Sequence, residues 1–186
     1  MIPHKTLLRR LACLALVSLA AFAVTAEASA KAKKKTHHPP PPAIQGEPAS
    51  MVGMVAAHNR AREAVGVPDL QWSAPLAQTA QGWADRLRGE GCAMRHSGAQ
   101  GIGENLAWAG GQHLSASQVV GMWVDERRAF DLGSNTCAPG AVCGHYTQVV
   151  WKNTKLLGCG IASCGNSEIW VCNYSPPGNY IGEPPY

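Results

Sequence analysis

Two stretches near the carboxyl end decide the fold: residues 143–151 read CGHYTQVVW, and residues 172–186 read CNYSPPGNYIGEPPY. The first stretch alternates along its length, and a period of two predicts a strand over residues 145–151 with His145 and Trp151 on the same face. The second stretch begins with a cysteine and ends in a proline-rich terminus. Together they indicate one compact block that carries strands and cysteines.

The residues between these stretches predict a β-hairpin. Gly165-Asn166 suits a two-residue primed turn, which would pair Cys164 with Ser167 and, in the same register, oppose Cys159 and Cys172. At that non-hydrogen-bonded position opposed Cα atoms approach to about 4.5 Å, a separation that a disulfide can span. We therefore expect a Cys159–Cys172 bridge.

The remaining cysteines are assigned with less help from geometry. Without Cys13 the chain has six cysteines, and six cysteines allow fifteen connectivities. Cys137 and Cys143, separated by a short Pro-Gly turn, are the next local pair, which leaves Cys92 for Cys164.

Residues 1–30 read as a secretory signal peptide. They combine a basic start, an apolar run over Leu11–Val24 and a small-residue cleavage site at Ala28-Ser29-Ala30. Lipid attachment at Cys13 is disfavoured because Arg10 stands where such a site needs an aliphatic residue. We expect secretion to the extracellular space, or to the periplasm in a Gram-negative source, where disulfides persist.

Residues 31–48 read KAKKKTHHPPPPAIQGEP and predict a basic, proline-rich disordered tether. Its lysines suit contact with an anionic envelope surface, although a solubilising linker has the same composition. Residues 49–186 form the predicted domain, in which nine Lys or Arg stand against ten Asp or Glu, a net charge of −1. This balance argues against nucleic-acid binding. No apolar run after the signal peptide is long enough for a transmembrane span.

Three helices are predicted ahead of the strands. The first covers residues 51–67, the second opens at Ser73, and the third opens at Ser115 with a capping box to Gln118. Helices followed by strands indicate an α+β sandwich.

Two charged side chains in this pattern are candidates for chemistry. Glu126 lies one turn after Trp123 on the apolar stripe of the third helix, so its carboxylate must be paired, hydrogen-bonded or facing a cleft, unless it reaches water at the edge of the stripe. His145 begins the predicted strand, where a satisfied core histidine is the common alternative. His96 and Glu104 flank a glycine-rich stretch, and their spacing alone does not join them to the other two.

Six motifs occur in order over essentially all of residues 49–186: HNRAR (58–62), CAMRHS (92–97), GENLAW (103–108), WVDE (123–126), CGHYTQVVW (143–151) and CNYSPPGNYIGEPPY (172–186). With these motifs the chain resembles the CAP superfamily, which comprises cysteine-rich secretory proteins, venom allergens and plant pathogenesis-related proteins. The resemblance implies an α-β-α sandwich of three layers, a cleft lined by His96, Glu104, Glu126 and His145, and the bridges Cys92–Cys164, Cys137–Cys143 and Cys159–Cys172.

The resemblance also implies ligands. Members of the family are reported to bind zinc or magnesium in the cleft, and two imidazoles with two carboxylates are suitable donors, His96 and His145 above all. Without a metal the four side chains can satisfy one another by charge-assisted hydrogen bonds. Trp108 is the best candidate for a cleft wall.

The function implied by the resemblance is binding of a sterol, fatty acid or other small lipid in an extracellular defence or host-interaction role. The alternative is a hydrolase in which a histidine-bound metal and Glu104 or Glu126 activate water, or in which Ser97 is the nucleophile. We favour binding because the sequence contains no activated nucleophile and no oxyanion-hole motif.

Overall fold

A four-stranded sheet with helices on both faces forms the part of the chain that the computed structural model describes, residues 46–186. The predicted signal peptide and most of the predicted tether lie outside these residues. The helices are α1 (Met54–Glu63), α2 (Ala74–Gly89), α3 (Ala116–Asp125) and α4 (Gly144–Val149). The strands are β1 (Gln71–Trp72), β2 (Gly103–Gly110), β3 (Phe130–Asp131), β4 (Thr136–Cys137), β5 (Leu156–Cys164) and β6 (Ser167–Ser175). Because α2 covers one face and α1, α3 and α4 lie on the other, the predicted three-layer α-β-α sandwich is confirmed.

The sheet has the order β1-β5-β6-β2, so β2 is an edge strand. Strand β1 is parallel to β5, and the pairs β5/β6 and β6/β2 are antiparallel. The predicted hairpin register is correct, since Cys164 opposes Ser167 and Cys159 opposes Cys172. Strands β3 and β4 form a separate small sheet.

Three disulfides have the pairing expected from the sequence: Cys92–Cys164, Cys137–Cys143 and Cys159–Cys172. The Cα atoms of Cys159 and Cys172 are 4.1 Å apart, as the opposed position in the hairpin requires. The Cys92 bridge joins the segment after α2 to the end of β5, across a sequence separation of 72 residues.

Helix α2 lies unusually close to strand β5. Ser73 caps the helix by accepting a hydrogen bond from the N–H of Leu76, as the sequence predicts. Gly158 and Gly160 face the helix, and a Cβ atom at either position would overlap the helix backbone. Because these two residues have no side chain, helix and sheet pack closely. A hydrophobic core that includes Leu87 lies between them, separate from the core on the opposite face of the sheet.

The first helix is shorter than the predicted span of residues 51–67. A 3₁₀ turn at Ala49–Met51 is followed by Gly53 at φ 91°, and only then does α1 begin. The Glu47 carboxylate accepts hydrogen bonds from the N–H groups of Gly53 (3.1 Å) and Val55 (2.6 Å). Glu47 therefore bonds to the domain although it lies within the segment predicted as a tether.

The predicted strand over residues 145–151 is wrong, because residues 144–149 form helix α4. Four consecutive residues from Tyr146 to Val149 are buried, so the alternation in the sequence does not separate a buried face from an exposed one. Partners from distant segments bind both ends: Glu126 accepts from the first N–H groups, and Arg62 donates to the carbonyl of Val149. Tertiary contacts thus override the β-propensity of these residues.

Within residues 46–186, no helix has the length and apolar character needed to cross a membrane.

Candidate binding cleft

Glu126 and His145 form the first of two His–Glu pairs at the cleft. Glu126 begins the 3₁₀ turn that follows α3, and its Oε1 lies 2.6 Å from His145 Nδ1. Its Oε2 accepts from the backbone N–H groups of His145 (3.0 Å) and Tyr146 (3.1 Å). Because Nδ1 faces a carboxylate, Nδ1 donates and Oε1 accepts, and Nε2 points away from the pair.

His96 and Glu104 form the second pair. Glu104 Oε1 accepts from His96 Nδ1 at 2.7 Å and from the N–H of Ser97 at 2.9 Å. The Glu104 side chain is only 8% exposed, whereas that of His96 is 62% exposed. Glu104 Oε2 is buried and has no hydrogen-bond partner among the described residues. The carboxylate is therefore half satisfied.

The segment that carries His96 is attached to α2. The indole N–H of Trp83 donates to the Arg95 carbonyl at 3.0 Å, and the Arg95 guanidinium lies 4.8 Å from the centre of the Trp83 ring. The Cys92–Cys164 bridge fixes the start of the same segment. These contacts hold His96 over Glu104 without a regular element.

Asn105 connects strand β2 to the helix that carries His145. Its side-chain amide donates to the His145 carbonyl and to the Tyr174 hydroxyl, each at 3.1 Å. Tyr174 in turn lies 2.9 Å from His58 Nε2, and His58 Nδ1 lies 2.8 Å from the Met54 carbonyl. The Met54 carbonyl requires a proton on Nδ1, so the tyrosine hydroxyl donates to Nε2.

Burial keeps this network neutral. It lowers the pKa of His58 to about 4 and raises the pKa of Tyr174 well above its usual value. Burial also lowers the pKa of Arg62 to about 10. The Arg62 guanidinium donates hydrogen bonds to four backbone carbonyls, those of Pro68, Val149, Trp151 and Thr154. The HNRAR motif is therefore structural, since His58 and Arg62 are both fully buried.

An apolar wall stands beside the Glu126–His145 pair. Met94, Trp108 and Met122 are 55%, 47% and 47% exposed, and with His145 they line a cleft of about 380 Å³. The buried Trp123 ring stacks on the His145 ring, with centroids 6.2 Å apart. Its indole N–H donates to the carbonyl of Leu106 on β2. Trp108 thus occupies the cleft-wall position expected for it.

The four predicted cleft residues form two separate His–Glu pairs. Each Nδ1 atom is bonded to a carboxylate, which matches the alternative in which the side chains satisfy one another. Among residues 46–186, no three His, Cys, Asp or Glu residues are grouped so that they could hold a metal ion. A four-ligand site is therefore not preformed. The atoms of these four residues that the two pairs leave free to bind a metal are the two imidazole Nε2 atoms and the buried Glu104 Oε2.

A third His–Glu pair was not anticipated. His113 Nδ1 lies 2.6 Å from Glu168 Oε1, and the carboxylate also accepts from the N–H of Leu114 and the indole of Trp170. Burial raises the pKa of Glu168, but these hydrogen bonds outweigh burial and leave the pKa below its usual value. His113 and Glu168 lie 55 residues apart, and no spacing rule relates them.

Comparisons with known proteins identify the family of the chain. The model of the cysteine-rich secretory protein family, CAP, matches residues 55–174. Pathogenesis-related protein 1A of Nicotiana tabacum is 51% identical over 131 residues, which cover 70% of this chain and 77% of that protein. Pathogenesis-related protein 1 of Arabidopsis thaliana is 48% identical over 130 residues, 69% of this chain and 78% of that protein.

A solved structure has the same fold. The venom allergen-like protein 4 of Schistosoma mansoni superposes with a TM-score of 0.64 at 24% identity, over 75% of this chain and 95% of that one. The family model covers well over half of the chain, and the plant relatives are about half identical to it. The chain therefore belongs to the CAP family of cysteine-rich secretory proteins.

Proposed function

We propose that this chain is a secreted binding protein of the pathogenesis-related type, and that its cleft binds a small amphipathic lipid such as a sterol or a fatty acid. The observation that carries the proposal is the exposed wall formed by Met94, Trp108 and Met122 beside His145. Ligand sites are typically concave and apolar with a few polar groups, and clustered exposed apolar side chains mark interaction sites. An amphiphile would place its chain on this wall and its head group toward the histidines.

Secretion and a defence role form the second part of the proposal. Residues 1–30 have the pattern of a signal peptide, and three disulfides suit an oxidising compartment. The plant relatives carry the description pathogenesis-related. We propose an extracellular defence or host-interaction role by this relationship.

For a metal, we propose Nε2 of His96 and of His145 as the protein donors. Each ring is oriented by a carboxylate on Nδ1, which is how metal-binding histidines are usually held. Two protein donors are fewer than the four of a structural zinc site, so we propose a weak, exchangeable ion. Zinc bound there would supply a Lewis acid, and magnesium fits less well because it prefers oxygen donors.

Hydrolysis is the less favoured function. Ser97 Oγ accepts a hydrogen bond from the N–H of Ala99, and no histidine among the described residues bonds to it. Three N–H groups already bond to the Glu126 carboxylate, so it is less available as a base than Glu104, whose Oε2 has no partner among the described residues. A hydrolase would thus depend mainly on Glu104, beside a serine that no described histidine activates.

The test of binding is calorimetric titration of the oxidised protein with 1-decanol. We expect saturable binding that Trp108→Ala weakens by about tenfold or more, since the substitution removes a large apolar contact. Ile181→Ala is the matched control, because Ile181 is fully exposed and lies outside the cleft. Equal affinity in all three proteins, or no binding to the wild type, would contradict the proposal.

A further inference from the structure

Two buried acceptor oxygens on the sheet lack partners. Glu104 Oε2 and Asn173 Oδ1 are both buried, and neither has a hydrogen-bond partner within residues 46–186. A buried polar atom without a partner costs free energy, and native structures contain few of them. Two such atoms in one region point to a donor that is supplied from outside the chain.

The two residues are direct neighbours across the sheet. Glu104 on β2 opposes Asn173 on β6. In the hairpin, Ser167 of β6 forms a hydrogen-bonded pair with Cys164 of β5. The backbone groups of successive residues in a strand point to opposite sides, so the odd-numbered residues of β6 bond to β5 and the even-numbered residues bond to β2. The Glu104–Asn173 pair is therefore non-hydrogen-bonded, and at such positions the opposed side chains come closest.

The Glu104 carboxylate can only accept hydrogen bonds. Its Oε1 already accepts from His96 Nδ1 and from the Ser97 N–H, which leaves Oε2 for a ligand. A ligand head group that can only accept hydrogen bonds has no partner at this oxygen. A carboxylate head would in addition bring a like charge beside Glu104.

We propose that the cleft selects a cationic amphiphile, a primary alkylamine whose ammonium group donates to Glu104 Oε2 and Asn173 Oδ1 and whose chain packs on Trp108. An ammonium offers three donors and the charge that complements the carboxylate. Residues 104 and 108 lie on the same face of β2, about 13 Å apart along the strand, a distance that a decyl chain spans. The His96 ring, which bonds to the same carboxylate, is largely exposed. This inference rests on the proposed function and narrows its ligand.

The test compares three ligands that differ only in the head group. Decylamine, 1-decanol and decanoic acid are titrated calorimetrically into the oxidised protein at neutral pH. We expect decylamine to bind about tenfold or more tightly than 1-decanol, because its hydrogen bonds are charge-assisted, and decanoic acid to bind most weakly. Decanoic acid binding as tightly as decylamine would overturn the inference.

Substitutions test which residues cause the preference for decylamine over 1-decanol. Glu104→Gln keeps an oxygen for His96 and Ser97 but removes the charge, so decylamine should lose its advantage over 1-decanol. Glu63→Gln removes the same charge from an exposed position at the end of α1 and should leave the advantage intact. Asn173→Leu, similar in size, is the second variant and should reduce the advantage even if Glu104→Gln fails to fold. An unchanged preference in the folded variants overturns the inference.

The outcomes separate this inference from the proposed function. If all three amphiphiles bind equally and Trp108→Ala weakens each of them, the cleft binds amphiphiles and the head-group selection is wrong. If none of them binds to the wild type, both the inference and the proposed function fail.

Discussion

The Glu126 carboxylate holds both the ring and the backbone of His145. Oε1 lies 2.6 Å from Nδ1 of the ring, and Oε2 lies 3.0 Å from the backbone nitrogen of the same residue. One side chain therefore sets the direction of the imidazole and the point at which α4 begins. The turn after α3 and the start of α4 are joined at the cleft by this pair.

Glu126→Gln should destabilise the fold. A glutamine amide keeps one acceptor oxygen, and its NH₂ group would face an N–H donor that Glu126 now satisfies. We expect the free energy of unfolding to fall by about 1–3 kcal/mol, measured by urea denaturation. Asp125→Asn is the control, because Asp125 is exposed and its side chain bonds, among the described residues, only to the exposed Arg128. A loss no larger than that of the control would contradict the role assigned to Glu126.

Arg62→Met should be more damaging than any exposed substitution. The methionine fills similar space but leaves buried carbonyls, among them those of Val149 and Trp151, without their donor. We expect a loss of about 3 kcal/mol or more in the free energy of unfolding. Arg60→Met, two residues earlier on the exposed side of α1, should change stability little. Similar losses in the two variants would show that the guanidinium bonds are not stabilising.

The elements that depend on local signals were predictable. Ser73 and Ser115 begin helices because their hydroxyls bond to nearby N–H groups, and Gly165-Asn166 fixes the hairpin because the turn type fixes the register. These signals lie within a few residues of the elements that they specify. The Cys159–Cys172 pair followed from the same local rule.

Elements held by distant residues were not predictable. Helix α4 has the alternation of a strand, but Glu126 and Arg62 bind its two ends from positions far away in the sequence. Strand β2 lies in a glycine-rich stretch that gave no strand signal, and its pairing with β6 defines it. The sequences of α4 and β2 do not show which distant residues they contact.

The residues of the candidate site were also predicted only in part. Glu126 and His145 were candidates from their positions in a helix and a predicted strand, and motif resemblance joined them with His96 and Glu104, because spacing does not relate the four residues. The unpartnered Asn173 oxygen and the His113–Glu168 pair were missed, since each depends on which residues the fold brings together. Trp108 was named from the sequence as the best candidate for a cleft wall, and it lines the cleft.

The stability of the fold should depend on His58 in mildly acid solution. Burial lowers the folded-state pKa to about 4, whereas an exposed histidine has a pKa near 6.5. Above pH 6.5 the His58 ring is neutral in both the folded and the unfolded chain, so its titration does not reduce the free energy of unfolding. Between pH 6.5 and pH 4 the ring binds a proton in the unfolded chain but stays neutral in the folded chain, which favours unfolding. Stability should therefore fall as the pH drops from about 6.5 to about 4, by up to about 3 kcal/mol from this residue.

His58→Gln tests this dependence because it removes the titration. The difference in the free energy of unfolding between wild type and His58→Gln is measured by urea denaturation from pH 7 to pH 4.5. We expect the wild type to lose more stability than the variant across this range. Parallel curves would mean that His58 does not contribute to the acid sensitivity.

Zinc should raise the melting temperature of the oxidised protein by mass action. The rise should be small, since two imidazole nitrogens are the proposed protein donors, and it should disappear in His96→Ala/His145→Ala. His113→Ala is the matched control, because His113 is an exposed histidine that is also bonded to a glutamate. No shift in the wild type at saturating zinc, or an equal shift in the double variant, would refute the metal proposal.

The most direct test of the cleft is methionine-methyl NMR during titration with 1-decanol. Met94 and Met122 line the cleft, whereas Met51 and Met54 are buried in the core and act as internal controls in the same spectrum. We predict that 1-decanol shifts the methyl signals of Met94 and Met122 in a saturable way and leaves those of Met51 and Met54 in place. Unchanged signals from Met94 and Met122 at saturating 1-decanol would contradict the account.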